Sequence, residues 1–557
     1  MRKFNEIKTR NELADFLNIP RKQLSYILYV KGTDNSYTSF AIQKKNGGTR
    51  NIYSPIKNLK IIQKRLAKAL IDHKEELKNK ENNISHAFEK NKGIVTNAKV
   101  HKNKNFVFNI DLLNFFESIH FGRVRGFFRN NNKFLFPSEV ATVIAQLTCY
   151  KGALPQGAPS SPIITNLICE ILDYRISKIT YKYKLDYTRY ADDLTFSTNN
   201  KKFINQKDEF LKEITSEINK AGFEINDKKT RLEYKDSRQT VTGLVVNEKV
   251  NVNRIFYKST KSMVHRLYKG KSIEINGEEA TINQLEGRLS FINQLTKYNN
   301  QISSKDLHFT NLSSVEKQYQ KFLIFKYFFE PSNPLIVTEG KTDVAYLKAA
   351  LKNLYKEYPK LVVLNENGDF EFKVSFLKKT NRLRYFLGIY KDGGSALNNI
   401  YNFYNKKHTL GAYLSIYKNS GNSHTNPVML LFDNEIGGNR DKPIKKFINY
   451  AKLQSREESL KKNKKLNISD NLFLLVTPLV GNKLECDMED LFDIETLNHK
   501  IGGKKFKKEE NFNTSDFYGK EIFSQYILKN YKNINFENFK PLLNNINSIV
   551  SSYESSW

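Results

Sequence analysis

Apolar positions near the start of the chain fall at helical spacing. In TRNELADFLNIPRKQLSYILY, residues 9–29, Leu13, Phe16 and Leu17 form one stripe before Pro20, and Leu24 and Ile27 form another after it. Two short amphipathic helices are predicted, as a packing appendage in preference to a helix-turn-helix DNA reader. From about residue 37 the period shortens. KKNGGTRNIYSP, residues 44–55, alternates on both sides of Gly47-Gly48 and predicts a hairpin. Helices are expected over 57–77 and 203–221, the second ending near Gly222. Beyond Val241 the pattern is basic and mostly helical as far as Phe329. The two prolines of FEPSNP, residues 329–334, then interrupt it, and a domain boundary is expected there. LIVTEGKTDVAYLKAAL follows, with the pattern of a buried strand, a glycine turn and a helix of an α/β domain.

Length and charge narrow the partners. A chain of 557 residues exceeds one ordinary core, so two or three domains are expected. Its 90 Lys and Arg against 58 Asp and Glu leave a formal charge of +32, a potential that attracts polyanions, nucleic acid first among them. The lysines are scattered, so both halves are expected to touch phosphate. The basic runs 461–465 and 504–508 read as solvated loops. Cys149, Cys169 and Cys486 have no CxxC spacing, which fits reduced thiols in a cytoplasm and argues against a zinc site. No apolar run approaches 18 residues and the N-terminus has no stretch of signal-peptide type, so no membrane partner is expected.

Two groups of carboxylates carry candidate chemistry. FVFNIDLLNFF, residues 106–116, delivers Asp111 at the end of an apolar strand, and YTRYADDLTFS places Asp192 and Asp193 between two β-type runs. Adjacent carboxylates at a hairpin tip repel unless a cation neutralises them. A third Asp beside them completes the hard oxygen set that Mg²⁺ prefers, and two such ions serve an in-line phosphoryl displacement. In the second half, PLIVTEGKTD sets Glu339 where a strand meets a helix, and PVMLLFDNEIGG sets Asp433 and Glu435 at the end of another strand. On one sheet edge, these would form a second Mg²⁺ site.

YADD with the upstream Asp resembles the palm of reverse transcriptases, and further blocks agree in order. KKNGGTRNIYSP with LKIIQKRL is similar to the fingers, ALPQGAPSSPIITNL to the nucleotide and template pocket, and GFEINDKKTR to the later palm motif. The resemblance implies that Asp111, Asp192 and Asp193 hold the metals, Arg50 reaches the triphosphate and Gln156 lies against nucleotide and template. It makes Phe116 a steric gate against a ribose 2′-hydroxyl, and Lys229, with Lys228 as rival, the lysine near the phosphates. NAKVH, with Asn97, Ala98 and His101, and VTG, with Val241, Thr242 and Gly243, resemble the two hallmarks of retron enzymes. That family binds a cognate structured noncoding RNA (msr-msd). It starts cDNA from a guanosine 2′-hydroxyl, using dNTPs, and leaves a branched RNA–DNA hybrid, msDNA. Tyr257, Lys258, Lys261, His265 and Arg266 are candidate RNA contacts in the thumb.

The expected architecture is an α+β right-hand polymerase followed by an α/β Toprim-like domain. The segments are helices over 1–36, fingers and palm over 37–240, thumb over 241–329, Toprim-like domain over 333–500 and tail over 501–557. The second resemblance departs from the Toprim pattern in one position, where Glu435 replaces an Asp. It implies a metal-dependent nuclease in antiphage defence, acting on a nucleic-acid target, with Glu489 and Asp490 as its later acidic element and Lys341, Asp343 and Gly394 near the site. A homo-oligomer is left open. The rival readings are an intron or abortive-infection type polymerase, and a second half that is an inactive nucleic-acid-binding scaffold.

Overall fold

The computed structural model describes residues 3–43, 47–77, 83–302, 311–390, 395–405, 407–408, 410–420, 423–438, 441–509 and 511–554. The chain divides into two units, Met1–Arg254 and Ile255–Trp557.

In the first unit, Thr9 caps α1 (Arg10–Phe16) by accepting the Glu12 N–H, and the Glu12 carboxylate accepts the Thr9 N–H in return. Pro20 then opens α2 (Arg21–Ser25), which widens into a π turn over Tyr26–Lys31. Leu13, Leu17, Leu24 and Ile27 are buried in the same core as the central sheet, so the segment packs as the spacing of its apolar residues requires. A hairpin of β1 (Tyr37–Gln43) and β2 (Thr49–Pro55) follows. Gly47 and Gly48 both have positive φ, while residues 44–46 lie outside the described ones. Next come α3 (Lys57–Glu76), α4 (Ile94–Val100), β3 (Phe106–Asp111), α5 (Phe121–Asn130), α6 (Ser138–Thr148) and α7 (Ser161–Tyr183). The unit ends with β4 (Asp186–Tyr190), β5 (Asp193–Thr198), α8 (Phe203–Lys220), β6 (Arg231–Tyr234), β7 (Thr240–Val241) and β8 (Leu244–Val245).

The central sheet has the order β4-β5-β3-β6 and is antiparallel throughout. Alternation along the strands gives it two different faces. Phe108, Leu194, Phe196 and Tyr187 point to one, where Phe203, Phe210 and Tyr183 of α8 and α7 pack against them. Asp111, Asn109, Asp193, Thr195 and Ser197 have the opposite parity and belong to the other face. The apolar half of each strand thus buys the position of the polar half.

The second unit begins with α9 (Arg254–Tyr268), whose first residue closes the preceding unit. A short hairpin of β9 (Glu274–Ile275) and β10 (Glu278–Glu279) leads to α10 (Ile282–Ile302) and α11 (Ser314–Ile324), which runs into a π turn over Phe325–Phe329. A five-stranded sheet follows. Its elements are β11 (Leu335–Thr338), α12 (Thr342–Asn353), a side hairpin of β12 (Val362–Leu364) and β13 (Phe370–Phe372), β14 (Ser375–Phe376), β15 (Val428–Phe432), β16 (Lys465–Ser469) and β17 (Leu472–Val476). The order is β14-β11-β15-β17-β16, parallel except for the edge strand β16.

Two segments lie differently from the expected divisions. The helical pattern does stop at 329–334, but Phe322, Phe325, Phe328 and Phe329 share one core with Val337, Leu430 and Leu474 of the sheet. Prolines mark the end of an element without revealing whether the apolar faces on either side meet. Residues 501–557, expected as a tail, contribute the helices Lys520–Lys529 and Lys540–Glu554. Their Phe523, Ile527, Leu543 and Ile546 pack with Tyr346, Leu347 and Met429, so this segment is a layer of the α/β unit. Among the described residues no helix is long and apolar enough to cross a membrane.

Candidate active site

Asp111 ends β3 directly opposite Asp193, the first residue of β5. The Leu112 N–H donates to the Asp192 carbonyl at 3.0 Å, fixing the tip of the β4–β5 turn beside the end of β3. Ala191, in the turn, takes φ +56°, and the small side chain keeps that left-handed conformation inexpensive. The three aspartates expected to act together therefore do meet. Burial raises the pKa of Asp193 to about 6, helped by the negative charges of Asp192 and Asp111. Asp192 is raised too, chiefly by burial, with Lys229 and Arg50 pulling the other way. Carboxylates so raised are a poised anionic set in want of a cation.

At present a lysine fills that role. Lys229 Nζ lies 2.9 and 3.1 Å from the two carboxylate oxygens of Asp111, and Asn226 Nδ2 donates to one of them at 2.9 Å. Of the rivals 228 and 229, then, it is Lys229 that reaches the aspartates. Among the described residues no three His, Cys, Asp or Glu side chains already stand as a metal-holding group. The donor set, three carboxylates at one strand edge, nonetheless fits a hard divalent cation.

The remaining predicted residues fall around this edge. Arg50 is exposed on β2, opposite Ile42, and its charge acts on Asp192. The Gln156 carbonyl accepts the Tyr53 N–H at 2.8 Å, joining β2 to the segment before α7. That join needs a glycine next to it. Gly157 has φ +117°, and a Cβ there would sit 2.7 Å from Ile52 Cγ2 and 2.9 Å from the Tyr53 carbonyl oxygen. Phe115 is buried and stacks on Phe223 at 5.5 Å, whereas Phe116 is only half-buried.

NAKVH and VTG, far apart in the chain, come together. Thr242 and Gly243 both take positive φ in the two-residue turn of the β7–β8 hairpin. Thr242 Oγ1 donates to the Ile94 carbonyl at 3.4 Å, and the Asn103 N–H donates to the Val246 carbonyl at 2.9 Å. Asn97, Ala98 and Val241 are buried. His101, fully buried, spans the turn-forming strands: Nε2 is 2.7 Å from Thr188 Oγ1 on β4 and Nδ1 is 2.7 Å from Ser197 Oγ on β5. Thr195 and Ser197 share the parity of Asp193, so α4 covers the same sheet face that carries the aspartates. Sequence reading placed both motifs but gave no sign that they touch.

A residue it missed is Arg189, between Thr188 and Tyr190. Its guanidinium is wholly buried, makes two 2.8 Å bonds to Asp173 of α7, and reaches the Ala191 carbonyl in the turn at 3.4 Å. The available signal was an arginine inside the strand run DYTRY, where a buried guanidinium demands a buried acid.

The second carboxylate group sits at the C-terminal edge of the parallel strands. Glu339 follows β11, Asp433 follows β15, and Glu489 lies in the turn Met488–Leu491 beyond β17. Burial, with the charges of Glu435 and Asp343, raises Glu339 to about 7. Asp433 is held well above the usual carboxylate range by burial and by Asp343, Glu339, Asp487 and Glu489. Asp343 accepts the Gly340 N–H at 2.8 Å. Several acids here already hold lysines: Glu435 pairs with Lys442 at 2.6 Å and Glu489 with Lys520 at 3.0 Å. Asp490 is held below the usual carboxylate range despite partial burial, through Lys483 and Lys508. Lys508 was expected in a solvated loop, and Lys520 in a segment without a role. Lys341 pairs with Glu521 at 2.8 Å. Gly394 lies outside the described residues.

A palm sheet with three carboxylates at the end of its central strands defines a template-directed nucleotidyl polymerase, and residues 42–256 match the family model for reverse transcriptase (RNA-dependent DNA polymerase). The chain is 36% identical over 315 residues to the Retron Ec86 reverse transcriptase of Escherichia coli, covering 91% of that protein and 56% of this one. It therefore belongs to the retron reverse transcriptases. The Retron Mx162 and Mx65 reverse transcriptases of Myxococcus xanthus are 30% and 28% identical, and the chain spans 64% and 61% of their lengths. Apo telomerase from Candida tropicalis overlaps 53% of this chain and 61% of its own at 14% identity, with a TM-score of 0.31, too slight a likeness to bear on function.

Proposed function

We propose that this RNA-directed DNA polymerase copies part of its own structured noncoding RNA, starting from a guanosine 2′-hydroxyl, and leaves a branched RNA–DNA hybrid. The observation that carries the polymerase chemistry is the pairing of Asp111 with Asp193 beside the anchored Asp192. These three carboxylates would hold Mg²⁺, which would supply activation of the hydroxyl and stabilisation of the departing pyrophosphate. The hydroxyl oxygen attacks the α-phosphorus, its bond forming as the bond to pyrophosphate breaks. Arg50 offers its charge to the triphosphate, Lys229 is released from Asp111 to do the same, and Phe116 stands against the sugar. Cells carrying the gene with its flanking DNA should yield a branched hybrid, and Asp192→Asn should remove it. Unbranched cDNA alone from the unaltered chain would overturn the retron part of this reading and favour the intron or abortive-infection type.

Residues 333–500 we read as a Toprim-like, metal-dependent nuclease serving antiphage defence. Support comes from Glu339, Asp433 and Glu489 at one edge of a parallel sheet, with carboxyls raised chiefly by burial and further by neighbouring acids. The lysines on Glu435 and Glu489 are what an inactive scaffold would also have. Glu339→Ala separates the two: a nuclease loses Mg²⁺-dependent cleavage while cDNA synthesis continues, and a scaffold has no cleavage to lose.

A further inference from the structure

On the apolar face of the palm sheet, the helical layer is itself grooved. A cavity of about 650 Å³ is lined by Arg123, Phe127, Lys133, Ile171, Arg175 and Lys220, among others. A second of about 580 Å³, which shares Arg175 and Lys220, continues along α7 and α8 past Lys178 and Lys212. Neither includes a residue of the aspartate site, which belongs to the opposite sheet face.

Arg123 is the telling member. Its guanidinium is largely buried against the Phe223 ring, 4.4 Å from the centroid. Its Nη1 is buried without a hydrogen-bond partner. A guanidinium cannot shed its proton, so a buried one without a carboxylate is costly until an anion arrives. Six lining side chains are cationic; Glu170 holds Lys133 at 2.5 Å, and the lining's own acids are Glu213 and Glu217. Both are already engaged, Glu217 with Arg175 and Lys220, Glu213 with Lys182. Along α7, Ile171, Tyr174 and Tyr181 project into solvent, the tyrosines 62% and 88% exposed, at helical spacing beside these cations. Phosphate-binding cations interleaved with exposed aromatic rings are the surface that single-stranded nucleic acid takes, phosphates on the charges and bases on the rings.

We propose that this rear groove of the palm binds a single-stranded segment of the RNA that the enzyme copies, holding it away from the catalytic edge. The proposal rests on the reading of the chain as an RNA-bound polymerase and adds a second, separate seat for that RNA. It explains why Arg123 Nη1 is left without a hydrogen-bond partner, and why aromatic side chains stay exposed on a helix whose other side is packed.

The test uses the full chain and a fluorescein-labelled oligouridylate of about twenty nucleotides containing 4-thiouridine. Photocrosslinks are expected in the peptides around Phe127 and Tyr174 as well as in the catalytic cleft. Arg175→Gln with Lys220→Gln should remove the rear crosslinks and lower the slope of log Kd against log salt by about 1.4, at about 0.7 per phosphate contact on a single strand. Adding Arg123→Gln should lower it by about 0.7 more. The surface pair keeps the test valid if the buried change impairs folding. Crosslinks confined to the cleft, with an unchanged slope, overturn the groove and leave the surface to a protein partner. Extension of a primer on an RNA template is measured in parallel. Its absence indicts the polymerase reading, and its presence without rear crosslinks indicts only the groove.

Discussion

Phe115 and Phe116 are neighbours with opposite surroundings, and the contrast decides what each does. Phe115 is core, so Phe115→Ala should cost about 3–5 kcal/mol of stability, read from denaturant unfolding. Phe116 is held by Phe115 at 5.5 Å between centroids and is only half-buried. Phe116→Ala should leave stability nearly intact and raise ribonucleotide incorporation by about 10–100-fold, the discrimination a shape-fitting pocket supplies, seen as alkali-labile cDNA. His101 makes a different prediction. Burial lowers its pKa to about 3, against an ordinary value of 6.5. The unfolded chain therefore takes up a proton below pH 6.5 that the folded chain refuses until about pH 3. Stability must fall as pH drops through that window, by about 2 kcal/mol at pH 5. His101→Gln should flatten this part of the profile of melting temperature against pH. An unchanged profile would mean that His101 is accessible to protons in the fold.

Strands and helices bring these residues to their places, and their own supports are testable. The Asp173–Arg189 pair ties α7 to the strand that carries the aspartate turn, with the Tyr187 hydroxyl donating to the same Asp173. Asp173→Asn leaves a buried guanidinium without its counter-charge, and should cost about 3–5 kcal/mol in unfolding experiments. Gly157→Ala should push β2 off the segment before α7. The expected result is a higher KM for dNTP with little loss of melting temperature, because the strain falls on the hairpin that carries Arg50. Most of this scaffold was legible in sequence. An apolar run and two β-type runs marked β3, β4 and β5 with their aspartates, Pro20 and Gly222 marked helix ends, and Gly47-Gly48 marked a turn. What periodicity could not carry was contact across long separations. That Thr242 meets Ile94, or that Lys520 reaches Glu489, depends on which surfaces the folded chain brings together. Nor could polarity alone tell a solvated lysine such as those expected at 504–508 from Lys508, which holds two acids.

At the scale of the whole chain, the helices of residues 255–329 owe their burial to the sheet that follows them. A chain ended after Glu330 would expose Phe322, Phe325, Phe328 and Phe329, which are now fully buried. It should aggregate on size-exclusion chromatography, whereas one ended after Arg254 should elute as a discrete species. A monodisperse 1–330 product would show that the shared core is dispensable. The helical layer formed by residues 520–554 makes the same point from the other end, since Phe523 and Leu543 fill the far side of the α/β unit.

That shared interior also constrains ancestry. A recombination that traded one C-terminal half for another by cutting at the prolines would tear a folded interior in two, and its offspring would be insoluble. An exchange that spares this interior has to cut nearer residue 254, which keeps residues 255–329 with the sheet whose core they share.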